Sequence, residues 1–243
     1  MKTTKYVSPR LTALALGLTT GVMALSLAVL PASQTQAAPG NPANPAATAG
    51  VQTSPAAVST TLSEAEIAGL VYMREEEKLA GDVYLALYAE WGLPIFQNIA
   101  NSEQTHTDAV KTLLDRYGVE DPAAGAAAGE FVNADLQALY EQLTALGEQS
   151  LGDALKVGAT IEDLDISDLQ KNLAEVENAS IRRVYENLMK GSRNHLRSFV
   201  STLSRQTGET YQSQYLSEDE FQSIVDGARE TGRAGRNGSR NRP

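Results

Sequence analysis

The sequence predicts an all-α protein of four long amphipathic helices with short extra ones. Three observations point there. Ala, Leu, Glu, Gln and Lys dominate the central part of the chain, and all are good helix formers. Apolar residues recur at steps of three and four, with no strand alternation. The connection between the second and third long helices is longer than the others, the layout of a four-helix bundle with a crossover.

The first helix is expected from about Ser63 to Trp91. Ser63 with Glu66 makes a capping box. Leu70, Met73, Glu77, Ala80, Tyr84 and Tyr88 form its inner stripe, and Gly92-Leu93-Pro94 ends it. The second runs from about Pro94, suited to a first turn, to Tyr117, with Gly118 as its stop. Its stripe is Phe96, Ile99, Glu103, His106, Val110, Leu113 and Tyr117. A Gly/Ala-rich crossover follows over 120–133, then a shorter helix over about 134–146. Ser150 and Asp153 open a helix to about Leu173, with Leu151, Leu155, Gly158 or Ala159, Glu162, Ile166 and Leu169 inward. The last long helix spans about Ala179 to Ser204, with Ile181, Tyr185, Leu188, Ser192, His195 and Phe199 inward. Ser217 and Glu220 cap a final short helix.

The ends read differently. Residues 1–37 resemble a secretory leader: Lys2, Lys5 and Arg10 precede an apolar run from Leu11 to Leu30, and Thr35-Gln36-Ala37 offers a cleavage site. An uncleaved N-terminal membrane anchor is the alternative, since about 20 apolar residues just span a bilayer. Export would place the protein in a periplasmic or extracellular setting. Residues 38–61 form a Pro/Ala-rich spacer, 62–226 the helical domain, and 227–243 an Arg/Gly-rich tail. The tail serves solubility or touches an anionic surface.

The chain contains no Cys. That removes disulfides, thiolate metal sites and Cys nucleophiles together. Any metal must be held by oxygen and imidazole, which suits iron, manganese or zinc. The net charge is −10, and both ends carry excess cations, so the domain between them is more acidic still. Nucleic acid is not an expected partner of that domain.

An ionised carboxylate in a helical core costs several kcal/mol unless it is paired or coordinates a metal. Here Glu77, Glu103 and Glu162 all fall on inner stripes, as do both histidines of the chain, His106 and His195. A lone inward His is usually a satisfied core residue. Glu103 and His106, three apart on one helix, share a face, and such a pair can give a carboxylate oxygen and a ring nitrogen to neighbouring metals. Inward carboxylate and imidazole groups on four helices are what a bundle needs to hold two metal ions.

Four segments carry a resemblance. They are Glu-Glu-Glu-Lys-Leu-Ala-Gly-Asp-Val-Tyr (75–84), Ser-Glu-Gln-Thr-His (102–106), Leu-Lys-Val-Gly-Ala-Thr-Ile-Glu-Asp-Leu-Asp-Ile (155–166) and Gly-Ser-Arg-Asn-His-Leu-Arg (191–197). Over about 62–203 the chain resembles the ferritin-like superfamily, and within it a prokaryotic family of unknown function, number 2202. The segment from Glu77 to Tyr84 also looks like a rubrerythrin first helix, which selects Glu77 over Glu75 and Glu76. The resemblance implies an antiparallel bundle with a di-iron or di-manganese carboxylate site. In that pattern the first and third helices each give a Glu, and the second and fourth each give Glu-x-x-His. Glu77, Glu103 with His106, and Glu162 match, with Glu103 and Glu162 as bridges. On the fourth helix His195 matches, but Ser192 stands where the Glu belongs. Asp165, three after Glu162, is the candidate replacement.

The function this implies is metal-dependent handling of ferrous iron, oxygen or peroxide, as a ferroxidase or peroxidase. The alternatives are metal binding or storage without turnover, and a structural domain with an inward polar network. Tyr84 and Tyr88 lie near enough to act as radical or hydrogen-bonding partners, and packing aromatics is the simpler role for both.

Overall fold

The computed structural model describes residues 61–231. The expected leader, all but the last residue of the spacer, and the tail beyond 231 lie outside the described residues. Six helices and no strands occur among the described residues. They are α1 (Glu64–Trp91), α2 (Pro94–Tyr117), α3 (Ala134–Gly147), α4 (Leu151–Glu175), α5 (Ala179–Thr207) and α6 (Glu218–Asp226). No helix among them is long and apolar enough to cross a membrane.

Local chemistry sets these limits. Ser63 Oγ accepts from the Glu66 amide, and the Glu66 carboxylate accepts from the Ser63 amide at 2.9 Å. The same carboxylate takes the amides of Glu177 and Asn178, so one side chain starts α1 and ties it to the α4–α5 link. Gly92 and Gly118 end α1 and α2 at φ 61° and 67°, a left-handed conformation that favours glycine. Asn133, Ser150, Asn178 and Ser217 cap the other four helices with side-chain oxygens. α4 and α5 run a little past the expected Leu173 and Ser204, because no breaker intervenes before Val176 and Gly208.

α1 packs along α2, and α4 along α5. The two pairs meet through α1 with α4 and α2 with α5, while α3 lies against α1 and α4. This closed circuit of four long helices is compatible with the expected bundle. The crossover is fastened to α1. Arg74 holds Asp121 with two hydrogen bonds of 3.0 and 3.1 Å, and the Lys78 ammonium reaches the carbonyls of Ala127 and Glu130 and lies over the Phe131 ring.

The apolar interior is divided. One cluster gathers Val83, Tyr84, Phe96, Leu155, Phe199 and Leu203, among others. A second gathers Leu70, Met73, Val110, Leu114, Ile181 and Leu188. Buried polar residues fall between them in sequence: Glu75 to Glu77 on α1, Glu103, His106 and Thr107 on α2, and Ser192 and His195 on α5. On α4, Glu162 and Asp165 precede Leu169 of the second cluster. The order of the layers reverses within each pair. α1 and α5 run from the second cluster to the first, and α2 and α4 from the first to the second.

α6 adds Phe221 and Ile224 to the first cluster. The strand of chain leading to it is clasped by Asp163, which has no exposed surface. Its carboxylate accepts from Tyr211 Oη and Ser213 Oγ at 2.9 Å and from the amides of Gln214, Tyr215 and Leu216. The chain stays docked beyond Gly227, where the tail was expected to begin, because Glu230 is held by Arg193, Arg197 and Asn194.

Candidate metal centre

Glu103 sits at the middle of the buried polar layer, 2% exposed, on α2. Its two carboxylate oxygens face two different imidazoles. Oε2 is 2.7 Å from His106 Nδ1, and Oε1 is 2.7 Å from His195 Nδ1. Glu77 Oε2 from α1 approaches His106 Nδ1 at 3.2 Å. Glu162 Oε2 from α4 approaches His195 Nδ1 at 3.5 Å. Two groups of buried ligand atoms result, Glu77–Glu103–His106 and Glu103–Glu162–His195, in each of which the atoms lie within 4.8 Å of one another. Glu103 belongs to both. The two rings are stacked, with centroids 5.6 Å apart.

Several contacts are close without being hydrogen bonds. His195 Nδ1 and Glu103 Oε1 are separated by 2.7 Å, yet both are buried and, among the described residues, neither has a hydrogen-bond partner; Glu77 Oε1 is likewise unpartnered there. The N–H and the lone pair are not aligned. Two atoms that each bind one ion at about 2.1 Å, at right angles, lie about 3 Å apart. The spacing and the misalignment are those of ligand atoms aimed at a shared point. Buried orphaned donors and acceptors call for such an explanation. The donor set of carboxylates and neutral imidazoles fits iron, manganese or zinc, so the buried Glu and His groups can bind metal.

Electrostatics in the metal-free cluster is set by the same contacts. Burial pushes Glu103 up, but the His195 and His106 imidazoles outweigh it and hold the carboxyl well below its usual range. Burial pulls His106 down, and Glu77 and Glu103 push it further the other way, well above the ordinary imidazole value. His195 is raised to about 10 by Glu103 and Glu162 against its burial. Glu77 rises to about 7, mainly from burial, with His106 countering.

Neighbouring residues shape the cluster. Tyr84 Oη donates to Glu162 Oε1 at 2.6 Å, which fixes that carboxylate and leaves Oε2 free to face His195. Gly191 on α5 makes room for His106: a Cβ there would stand 2.5 Å from both Cε1 and Nε2 of the ring. A glycine inside a helix is less favourable than alanine by about 0.5–1 kcal/mol, so its presence marks this close approach.

Of the six residues expected as ligands, Glu77, Glu103, His106, Glu162 and His195 supply atoms to the two groups. Asp165 belongs to neither. It is buried, with Oδ1 unpartnered, and burial together with Glu77 and Glu162 raises its pKa well above the carboxylate range, Ser192 offsetting part of the rise. Ser192 itself donates to the Leu188 carbonyl at 2.9 Å. Tyr88 is only half-buried and packs against the first apolar cluster. Sequence reasoning passed over Glu75 and Glu76, both 2% exposed. Glu75 accepts the amides of Val132 and Asn133 at the start of α3. Glu76 has two unpartnered oxygens, and burial with nearby Asp165 holds it well above its usual range. Only the triple glutamate run signalled them.

The profile of a family described as an uncharacterized protein domain, DUF2202, matches residues 66–228. The chain is similar to the uncharacterized protein MJ0754 of Methanocaldococcus jannaschii, 54% identical over 171 residues, which is 70% of this chain and 92% of that protein. It is also similar to the crystal structure of the hypothetical protein MJ0754 from Methanococcus jannaschii, with a TM-score of 0.68 at 54% identity, covering 70% of this chain and 96% of that one.

Proposed function

The chain belongs to the DUF2202 family, and on that footing we propose that its helical domain binds two metal ions, iron or manganese, through a shared Glu103. One site is Glu77, Glu103 and His106; the other is Glu103, Glu162 and His195. The observation that carries this reading is the 2.7 Å approach of Glu103 Oε1 to His195 Nδ1 with neither atom hydrogen-bonded among the described residues, while Glu103 Oε2 stands 2.7 Å from His106 Nδ1. The layer order reverses between α1 and α2 and between α4 and α5 but is the same in α2 and α4, which supports a ferritin-like antiparallel bundle with a crossover around the site.

Iron or manganese in such a ligand set supplies electron transfer toward oxygen or peroxide. The protein's own contribution is positional. Tyr84 fixes Glu162 by its hydroxyl proton. Asp165, whose carboxyl burial pushes well above the ordinary carboxylate range, lies buried on the same helix as Glu162. The leader-like residues 1–37 support a role after export, with the spacer and the Arg/Gly-rich tail flanking the domain; N-terminal sequencing of the exported protein checks cleavage near Ala38, and an intact Met1 in the membrane fraction favours an anchor.

Elemental analysis after loading under reducing conditions should give two equivalents per chain. A protein that retains none sinks the proposal. Consumption of oxygen or peroxide by the loaded protein then separates an oxidoreductase from a non-catalytic metal binder.

Gly191→Ala should cost one equivalent. Its methyl must displace the His106 ring, while the site with His195 keeps its three ligands. The helix itself gains from alanine, by up to about 1 kcal/mol, so the fold should persist. Full retention of both equivalents would show that the ring has another place to go.

The metal-free protein should lose stability as pH rises. Glu77 and His195 both have folded pKa values, about 7 and about 10, above their reference values of 4.5 and 6.5. The native state therefore binds more protons than the unfolded chain. Their contributions are complete below the reference values and are lost as pH climbs through about 7 and then about 10. Glu103 acts the opposite way: its lowered pKa stabilises above 4.5 and is lost toward acid. In chelator, the thermal midpoint should peak near the top of the carboxylate range and decline by pH 9. A midpoint still rising at pH 9 would contradict the coupling.

A further inference from the structure

A cavity of about 820 Å³ lies between α2 and α5, and His195 and Gly191 form part of its wall. Its lining is unusual for this chain. Arg197, Arg205 and Arg229 face it, and among the described residues no Asp or Glu does, although acidic residues outnumber Lys and Arg by 30 to 20 in the sequence. Arg197 is partly satisfied by Glu230 and by the Ile224 carbonyl. Arg205 is not neutralised. Ser201 Oγ and Thr202 Oγ1 accept from its guanidinium at 2.7 and 2.9 Å, which orients the group without cancelling its charge. Among the described residues, neither Arg205 nor Arg229 has a carboxylate within 4.0 Å.

The wall is ordered along α5. His195, Ser198, Thr202 and Arg205 follow at steps of three, four and three, so they share a face. Ten residues of helix separate His195 from Arg205, about 15 Å. Asn98 and Ser102 on α2 add uncharged hydrogen-bonding groups opposite. The cavity is open to solvent, with Ser198, Ser201, Arg205 and Arg229 exposed, and its volume is in the range of small-molecule sites. Its two uncompensated guanidinium groups offer the forked donor geometry that recognises carboxylate and phosphate groups.

We propose that this cavity is a binding site for a small organic anion. Its carboxylate or phosphate head sits at Arg205 and Arg229, and its body extends toward His195 and Gly191. This names the ligand class of the metal centre and rests on that reading only for what the far end of the ligand meets. The anion site itself needs no metal.

The test titrates the full chain, metal-depleted and metal-loaded, with inorganic phosphate and with succinate, and reads heat of binding. Neutral succinamide serves as the control ligand. Saturable one-to-one binding of phosphate or succinate, absent with succinamide, is expected in the metal-depleted protein. The stronger of the two anions identifies the head group. The double variant Arg205→Gln with Arg229→Gln should weaken binding at least tenfold with an unchanged thermal midpoint. Lys111→Gln, a cation on the exposed flank of α2 paired with Asp115, should leave binding unchanged. The inference is overturned by the absence of saturable binding, by equal binding of succinamide, or by an equal loss in the Lys111 variant. Metal content is measured on the same samples, so failure of the metal reading shows there, whereas failure of the anion site shows in the metal-depleted titration.

Discussion

Glu103→Gln should remove both metal equivalents while leaving the helices intact. Glutamine has nearly the same size, so packing in the 2%-exposed pocket is kept. The change takes away the one negative charge that faces both His106 and His195. Each group of three loses a carboxylate ligand at once. Altering a mere supporting residue of a metal site typically weakens it about 10–100-fold, so loss of a direct shared ligand should weaken each site by about a hundredfold or more. Glu77→Gln and Glu162→Gln provide the contrast, because each belongs to one group and should cost one equivalent. The histidines add an independent readout. Without Glu103 their raised pKa values should fall, since that carboxylate is a main support of both. Metal content by elemental analysis and ring titration by NMR check the two halves. Two equivalents retained in Glu103→Gln would show that the carboxylate does not bridge.

The second large effect should come from Asp163→Ala. Asp163 carries no exposed surface and gathers five donors from residues 211–216: two hydroxyls and three backbone amides. Hydrogen bonds to an ionised group contribute about 1.5–3 kcal/mol each. Their sum is not the expected loss, because the segment can leave the surface and let water satisfy the freed donors. The ceiling is then the docking of this segment and α6, whose Tyr211, Leu216, Phe221 and Ile224 are buried. An overall destabilisation of about 4 kcal/mol is expected, at the upper end for single substitutions. Asp163→Asn should recover part of it, since one amide oxygen still accepts. Chemical denaturation gives the loss, and limited proteolysis locates it. A loss under 1 kcal/mol would mean that α6 holds without the clasp.

The helices were legible because their signals are local. Ser63 with Glu66, Pro94, Gly92 and Gly118 stand at the ends that periodicity suggests. The candidate ligands were legible for a related reason: Glu103, His106 and His195 interrupt apolar stripes, and buried charge is rare enough to stand out. What periodicity leaves open is which neighbour a face meets. α1 touches α2, α3 and α4, so it buries Arg74, Glu75, Leu79 and Val83 as well as the expected stripe. Nothing in the sequence around Asp163 marks its role, because its partners arrive from about fifty positions away. Asp165 is buried beside Glu162 on α4 yet belongs to neither group of three, since direction around an axis does not fix distance to a partner helix. The arginine-lined cavity was invisible, as it is assembled from α2, α5 and the end of the chain.

The run Glu75-Glu76-Glu77 carries a consequence for how variants of this protein are interpreted. Three identical letters occupy three directions about 100° apart around one axis. Glu75 organises the entrance to α3, Glu76 is buried without a partner, and Glu77 faces His106. Swapping any one for alanine should have a different outcome: a loosened crossover, a relieved interior acid, or the loss of a proposed ligand. A one-residue deletion just before the run, compensated just after it, would keep the same three letters in view while turning each to its neighbour's duty. Aligned by eye, such a relative would look unaltered here and yet have no carboxylate opposite His106. Inheritance of the run is therefore weaker support for an inherited site than the seven-residue interval from Glu77 to Tyr84, which keeps both side chains on one face of α1, about two turns apart, where one meets His106 and the other Glu162.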